Sequence, residues 1–231
     1  QCVMRIASDM TLMSIGSNAK SEGKLYVGNG AGATGAVYHT AGRVSVSSGL
    51  MYTDFVSIGT LGGYGYYRMT GGELVCGEMG VTGAGYGNNV GVFDLHSGSV
   101  INDGAGLLVG WSQGVGVLNL FGGSLVVTKN LIQMVYSANK DTFGMLNLLG
   151  PTASVNATGV TRTVQTLNLA SAVGNKAGVV NLNSGTLCLN KTYVSTTVTP
   201  SFFNFNGGVL RPTGAQAAFL QGLTAATVYP G

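Results

Sequence analysis

The sequence predicts an all-β fold, a parallel β-helix or β-solenoid of about seven coils, each roughly 28 residues long and built from three short strands. Three observations carry that reading. A glycine-anchored phrase recurs along most of the chain. Apolar and polar residues alternate within each recurrence. No stretch shows the 3.6-residue spacing of an amphipathic helix.

The recurrence is clearest in "VLNLFGGSLVV" (117–127), "VVNLNSGTLCL" (179–189) and "FFNFNGGVLRP" (202–212). With the last glycine of "FGG" or "NSG" as anchor, it falls at Gly42, Gly72, Gly98, Gly123, Gly185 and Gly208, with Pro151 in the slot once. The mean spacing is about 28 residues. A fixed period of this size marks a stacked repeat, because one unit cannot bury its apolar face until its neighbours cover it.

Aligned on the anchor, the rows agree in columns. Seven residues before it stand Gly35, Gly65, Gly91, Gly116, Gly144 and Gly178, then Ser201. Five before stand Val37, Tyr67, Phe93, Leu118, Leu146, Val180 and Phe203. Three before stand His39, Met69, Leu95, Leu120, Leu148, Leu182 and Phe205, and two after stand Val44, Leu74, Val100, Leu125, Ala153, Leu187 and Leu210. This alternation is that of a half-buried strand. It places Leu118, Leu120 and Leu125 inside and Asn119 and Phe121 outside. The anchor glycine supplies the positive φ of a tight corner. A third strand precedes each pair, as in "KLYVG" (24–28), "DFVSIG" (54–59) and "LLVG" (107–110). Residues 1–24 depart from the repeat and are expected to form a cap or an incomplete first coil. Residues 25–212 are the solenoid, and 213–231 a terminal strand, cap or assembly segment.

Composition narrows the function classes. Glycine is extreme at 39 of 231 residues, charged residues make up only 8 per cent, and the net charge is +3. There is no basic stripe, so no nucleic-acid footprint is expected. No run of 18 apolar residues is present, so no helical membrane span is expected. No basic segment followed by an apolar one opens the chain, so a secretion signal is expected to have been removed or to lie outside this sequence. No Cys or His spacing suggests a metal site, and no cofactor is expected. Cys76 and Cys188 fall four coils apart and should not pair. Cys2, near an end, is the better candidate for a link between molecules.

"GAGATG" (30–35) fits the dinucleotide-binding glycine pattern, with Asp54 beyond it. That chemistry needs a helix N-terminus, and a strand follows here instead. Four residues before the anchor stand Tyr38, Arg68, Asp94, Asn119, Asn147, Asn181 and Asn204. The four asparagines predict an amide ladder along the axis. Arg68 with Asp94, and Arg43 with Glu73, predict exposed ion pairs between coils. A sugar-cleaving site would use such carboxylates with His96 nearby, but the eight acidic residues are spread over many coils. His39 points inward, which leaves no Ser-His-Asp set. Tyr64, Tyr66, Tyr67 and Tyr86 crowd one region. Tyr64, Tyr66 and Tyr86 are the candidate glycan or intersubunit contacts. "NAT" at 156 and "NKT" at 190 match the glycosylation sequon. The column two before the anchor mixes Thr, His, Phe, Leu and Asn, so it is not the flat threonine array of an ice-binding face.

The phrase G…G-h-h-N-L-N-G-G-T-L-x-V resembles the autotransporter-associated β-strand repeat of large, glycine-rich bacterial surface and secreted proteins. The resemblance covers roughly residues 25–220, and "QAAFLQGLTAATVYPG" is similar to the segment that follows the last such repeat. It implies an extracellular or cell-surface β-helix and implies no activity. The expected function is therefore non-catalytic: a structural or adhesive protein, self-associating head to tail or continuing into a longer chain. The alternative is a carbohydrate-binding or polysaccharide-cleaving β-helix.

Overall fold

Alternation with a period of two and a corner every few residues leaves the chain one way to bury its apolar side chains, which is to coil and stack. The computed structural model describes residues 1–14, 24–48, 55–83, 87–128, 131–136, 141–156, 166–170, 176–195 and 199–230. Its strands are β1 (Cys2–Ile6), β2 (Met10–Ser14), β3 (Lys24–Asn29), β4 (Thr34–His39), β5 (Arg43–Ser48), β6 (Phe55–Thr60), β7 (Tyr64–Val81), β8 (Asn89–Trp111), β9 (Gly114–Leu120) and β10 (Ser124–Val127). They continue as β11 (Ile132–Tyr136), β12 (Phe143–Leu148), β13 (Ser154–Val155), β14 (Thr166–Asn168), β15 (Gly178–Leu182), β16 (Thr186–Leu189), β17 (Lys191–Tyr193), β18 (Ser201–Phe205), β19 (Val209–Pro212) and β20 (Ala225–Val228).

Every pairing between these strands is parallel, and together they make a three-sided β-solenoid. The first side is the ladder β1–β4–β7–β8–β9–β12–β15–β18–β20. The second is β2–β5–β7–β8–β10–β13–β16–β19. The third is β3–β6–β7–β8–β11–β14–β17. Strands β7 and β8 each bend through all three sides without a break. The rows aligned in the sequence supply β4, β7, β8, β9, β12, β15 and β18, while β1 and β20 extend the first side at either end. No helix among the described residues is long and apolar enough to cross a membrane.

The register follows the sequence columns. Gly65, Gly91, Gly116, Gly144 and Gly178 stack in one row. The inward columns are buried: Tyr67, Phe93, Leu118, Leu146, Val180 and Phe203 in one, and His39, Met69, Leu95, Leu120, Leu148 and Leu182 in the next. Leu125 is buried too, and Phe121 is exposed. Burying each such side chain contributes roughly 1.5–3 kcal/mol.

The glycine row exists because the third side closes against it. A Cβ on Gly116 would lie 2.1 Å from the Val81 carbonyl oxygen, and one on Gly91 would lie 2.1 Å from that of Ile58. The anchor glycines do a different job. Gly42, Gly72, Gly98, Gly123, Gly185 and Gly208 all have positive φ, between 69° and 94°.

One row departs from the expected alignment. Ser154 pairs with Ser124 and Val155 with Leu125, so Ala153 rather than Pro151 takes the anchor slot. Val155 then takes the inward column of Leu125, and Ala153 is buried beside it at the corner. The reason is a corner lengthened by the Pro151–Thr152 turn, closed by the Ala153 amide donating to the Gly150 carbonyl at 3.0 Å.

A second left-handed corner runs along the end of the third side. Gly28, Gly59, Thr82, Gly110 and Val135 share this position, all with positive φ. Thr82 and Val135 are β-branched, for which this conformation is strained. The Thr82 hydroxyl accepts from the Trp111 amide at 2.6 Å, which ties that corner to the next coil.

Candidate functional site

The outward column four before the anchor gathers the polar side chains of the first side. Stacked strands set identical residues one strand spacing apart, within reach of an amide–amide hydrogen bond. Asn204 Nδ2 donates to Asn181 Oδ1, Asn181 to Asn147, and Asn147 to Asn119, each at 2.7 Å. All four predicted asparagines therefore form one ladder, and every amide points the same way. The ladder runs on into Asp94, whose Oδ1 accepts from Asn119 Nδ2 at 2.8 Å. Aligned amide dipoles thus end with their donor side on a carboxylate, the favourable arrangement for a negative charge.

The other Asp94 oxygen accepts from the Tyr66 hydroxyl at 2.8 Å. Burial, then this hydrogen bond to a carboxylate, pushes the Tyr66 phenol up to about 12. Arg68 stands opposite Asp94 in register. The expected Arg68–Asp94 ion pair does not form; Asp94 accepts instead from the neutral donors Asn119 and Tyr66. The Arg43–Glu73 pair does form, at 3.0 Å on the surface.

Tyr66 meets Tyr38 edge to face, and the Arg5 guanidinium lies 5.3 Å from the Tyr38 ring centroid. The phenol proposed as a contact is therefore engaged within the rod. Tyr64 is exposed. Tyr86 lies outside the described residues. Tyr67 faces the core, stacked on Phe93 at 4.9 Å.

His39 is fully buried beneath this face. Its Nε2 lies 3.0 Å from the Gly42 carbonyl, which only accepts, so Nε2 carries the hydrogen. Its Nδ1 is then an acceptor for the Tyr67 hydroxyl at 3.1 Å. Burial above all, and then the neighbouring Cys76, raise the Tyr67 phenol far above its ordinary value. His96 lies on the outside, its ring stacked on Phe121 at 4.5 Å. The two histidines thus sit on opposite faces of the sheet and share no site. The "NAT" asparagine, Asn156, is buried, and its Oδ1 accepts from the Val127 amide at 2.8 Å.

One feature escapes sequence reading. Tyr26, Phe55, Trp111 and Tyr136 form a row of edge-to-face aromatic contacts, with centroids 6.3, 6.0 and 5.8 Å apart. Only Trp111 and Tyr136 stand in register, while Tyr26 and Phe55 hold other positions in their coils, so no single column reveals the row. Tyr26 and Tyr136 are exposed, whereas Phe55 is buried. Among the described residues no three His, Cys, Asp or Glu side chains gather into a metal-sized group. Compared with known proteins, the chain matches no family model, no curated protein and no solved structure.

Proposed function

We propose that this chain is a non-catalytic structural or adhesive β-solenoid of an extracellular or bacterial cell surface, whose work is to be a stiff, charge-poor rod. One observation carries the reading. The most regular polar column on the molecule is spent on the rod itself: each asparagine serves the next coil, and Asp94, the carboxylate nearest to His96 in sequence, has both oxygens occupied. A cleaving site would need a carboxylate free to exchange a proton with substrate. The rod's open ends are to be covered by more chain or by another copy.

The second reading, glycan binding, is favoured by the exposed Tyr64 and by the aromatic row ending in Tyr26 and Tyr136. One experiment separates the two: purified protein is incubated with neutral and acidic polysaccharides, and both reducing ends and retention on insoluble glycans are measured. The rod reading expects neither. Turnover that is lost in Asp94→Asn overturns it. Retention that is lost in Tyr64→Ala or Tyr136→Ala favours the second reading.

A further inference from the structure

The outer surface of the first side is not that of a sheet facing water. There β9, β12, β15 and β18 present Val117, Met145, Val179 and Phe202, stacked in register beside the asparagine ladder. All four are partly exposed, and none packs against the core. The asparagine is the one polar side chain in "GVGVLNL", "FGMLNL" and "GVVNL". A sheet with one solvated face alternates apolar with polar, whereas strands covered on both faces read as nearly unbroken apolar runs. None of the four strands holds a charged residue. The next outward position adds the exposed Phe121 and the partly exposed Leu149. The second side is different. Its outward column runs Arg43, Glu73, Ser99, Ser124, Ser154 and Thr186, polar in every coil.

Two properties of this flank match it to itself. The first is size, which alternates along the column: Val117 is small, Met145 large, Val179 small and Phe202 large. A twofold that turns the rod end for end, placed between Asn147 and Asn181, sets Val117 on Phe202 and Met145 on Val179. Each large side chain then meets a valine, as interdigitating layers require. Both columns advance by one strand spacing per coil, so they keep step over all four rows. The second property is the polarity of the ladder. Dipoles side by side attract when they run opposite, and the same twofold lays Asn119 against Asn204 and Asn147 against Asn181. Each amide spends at most one Nδ2 hydrogen and one Oδ1 lone pair along the axis and keeps one of each for a facing amide. One rung further, Asp94 meets Thr227. Rods laid parallel on the same columns would set Phe202 on Phe202, Asp94 on Asp94 and Arg68 on Arg68.

We infer that a second copy of this chain docks antiparallel on the first side, ladder on ladder. The surface is the rod's flank, so the pairing goes beyond the rod reading above and holds with any structure at either end of the solenoid. The contact is isologous and closes as a dimer. Six strands, β8 to β20 along the first side, stand about 4.8 Å apart and run about 20 Å, a footprint of roughly 580 Å² per copy. The total of about 1,200 Å² is at the lower end of specific interfaces, so the dimer should form as concentration rises.

The test joins sedimentation with cross-linking in a Cys2→Ser background, which leaves only the buried Cys76 and Cys188. At raised concentration the protein is expected at twice its chain mass of 23.5 kDa. Met145→Lys, on the flank, should sediment as a monomer with an unchanged strand-type circular dichroism spectrum. Ser124→Lys, on the second side, should stay dimeric. Packed sheets stand about 10 Å apart, so a bismaleimide of about that reach spans facing cysteines. Val117→Cys with Phe202→Cys is expected to give a covalent dimer. Within one chain those residues lie three strand steps apart, about 14 Å and out of the reagent's reach. Val117→Cys alone faces its own copy only in the parallel arrangement and should stay monomeric on gels. Cross-linking by that single variant overturns the antiparallel order. Assembly that Met145→Lys leaves intact overturns the flank, and if that variant loses its strand spectrum the cross-link decides. A protein that stays monomeric at every concentration, or a cysteine pair that captures no dimer, overturns the second copy and leaves the face to a different partner. None of these outcomes involves glycan retention or turnover, by which the rod reading itself is judged.

Discussion

Gly116→Ala is the sharpest test of why the rod needs its glycine row. The new methyl would lie 2.1 Å from the Val81 carbonyl oxygen, 2.5 Å from the Gly110 nitrogen and 3.2 Å from the Gly110 Cα. Ordinary contact begins near 3.4 Å, so the carbonyl must retreat by about 1.3 Å. All three obstacles are backbone, and Gly110 lies at a left-handed corner. No rotamer can relieve the clash. Overpacking that side chains absorb costs about 1–3 kcal/mol, and one that moves a sheet backbone falls at or above the top of that range. Urea denaturation followed by circular dichroism should show a clear drop in midpoint. Gly214→Ala is the control, since its methyl meets nothing within 4 Å and its φ is not positive. That change should be neutral within about 0.5 kcal/mol. If Gly116→Ala unfolds at the same urea concentration as Gly214→Ala, the close-approach account of the row is wrong.

Asn147→Ala removes one donated and one accepted ladder bond, a loss of roughly 1–3 kcal/mol at about 0.5–1.5 kcal/mol per net bond, measurable in the same denaturation assay. Leu120→Asp buries an unpaired carboxylate among apolar neighbours and should cost several kcal/mol, to the point of poor recovery of folded protein. The Tyr66 phenol is raised in the folded state to about 12. The stability this group gives is therefore complete below its ordinary value of 10 and is lost as pH rises from there through about 12. In Tyr66→Phe, denaturation midpoints should fall less across that window, and tyrosinate absorbance should lose a component near pH 12, while the still later Tyr67 remains. In the native state a thiol reagent followed by mass spectrometry should label the exposed Cys2, with the buried Cys76 and Cys188 labelled only in denaturant.

What was legible in the sequence was whatever repeats with its identity intact. The asparagines at 119, 147, 181 and 204 could be stacked on paper because one residue type does one job in each coil. The anchor glycines could be found because a positive φ selects for them. Other features vary in identity while keeping their role. The corner at Gly28, Gly59 and Gly110 is filled by Thr82 and Val135 in other coils, so its column dissolves in the sequence. Pro151 looked like an anchor because a turn residue stood at nearly the right spacing, and only pairing with Ser124 and Leu125 moves the slot to Ala153. Asp94 read as a partner for Arg68 because opposite charges stood in one column. The structure gives it to Asn119 and Tyr66, since a polarised ladder and a phenol satisfy both oxygens at close range. The aromatic row was invisible because Tyr26 and Phe55 join the in-register pair Trp111 and Tyr136 from other positions of their coils.

The ladder's uniform direction bears on how such a chain can change its length. Asn119 and Asn147 lie 28 residues apart and do the same thing to their neighbours, and Leu118 and Leu146 face each other in the register. Excising residues 119–146 joins Leu118 to Asn147 and hands the Asp94 contact to a new asparagine. Duplicating the same segment inserts a rung that donates and accepts like those beside it. Neither change asks a residue of the asparagine ladder to find a new kind of partner. Rod length is thus a quantity that whole-coil gain or loss can reset in one genetic step, while the gain or loss of a single residue within a strand would flip the inward side chains beyond it to the outside.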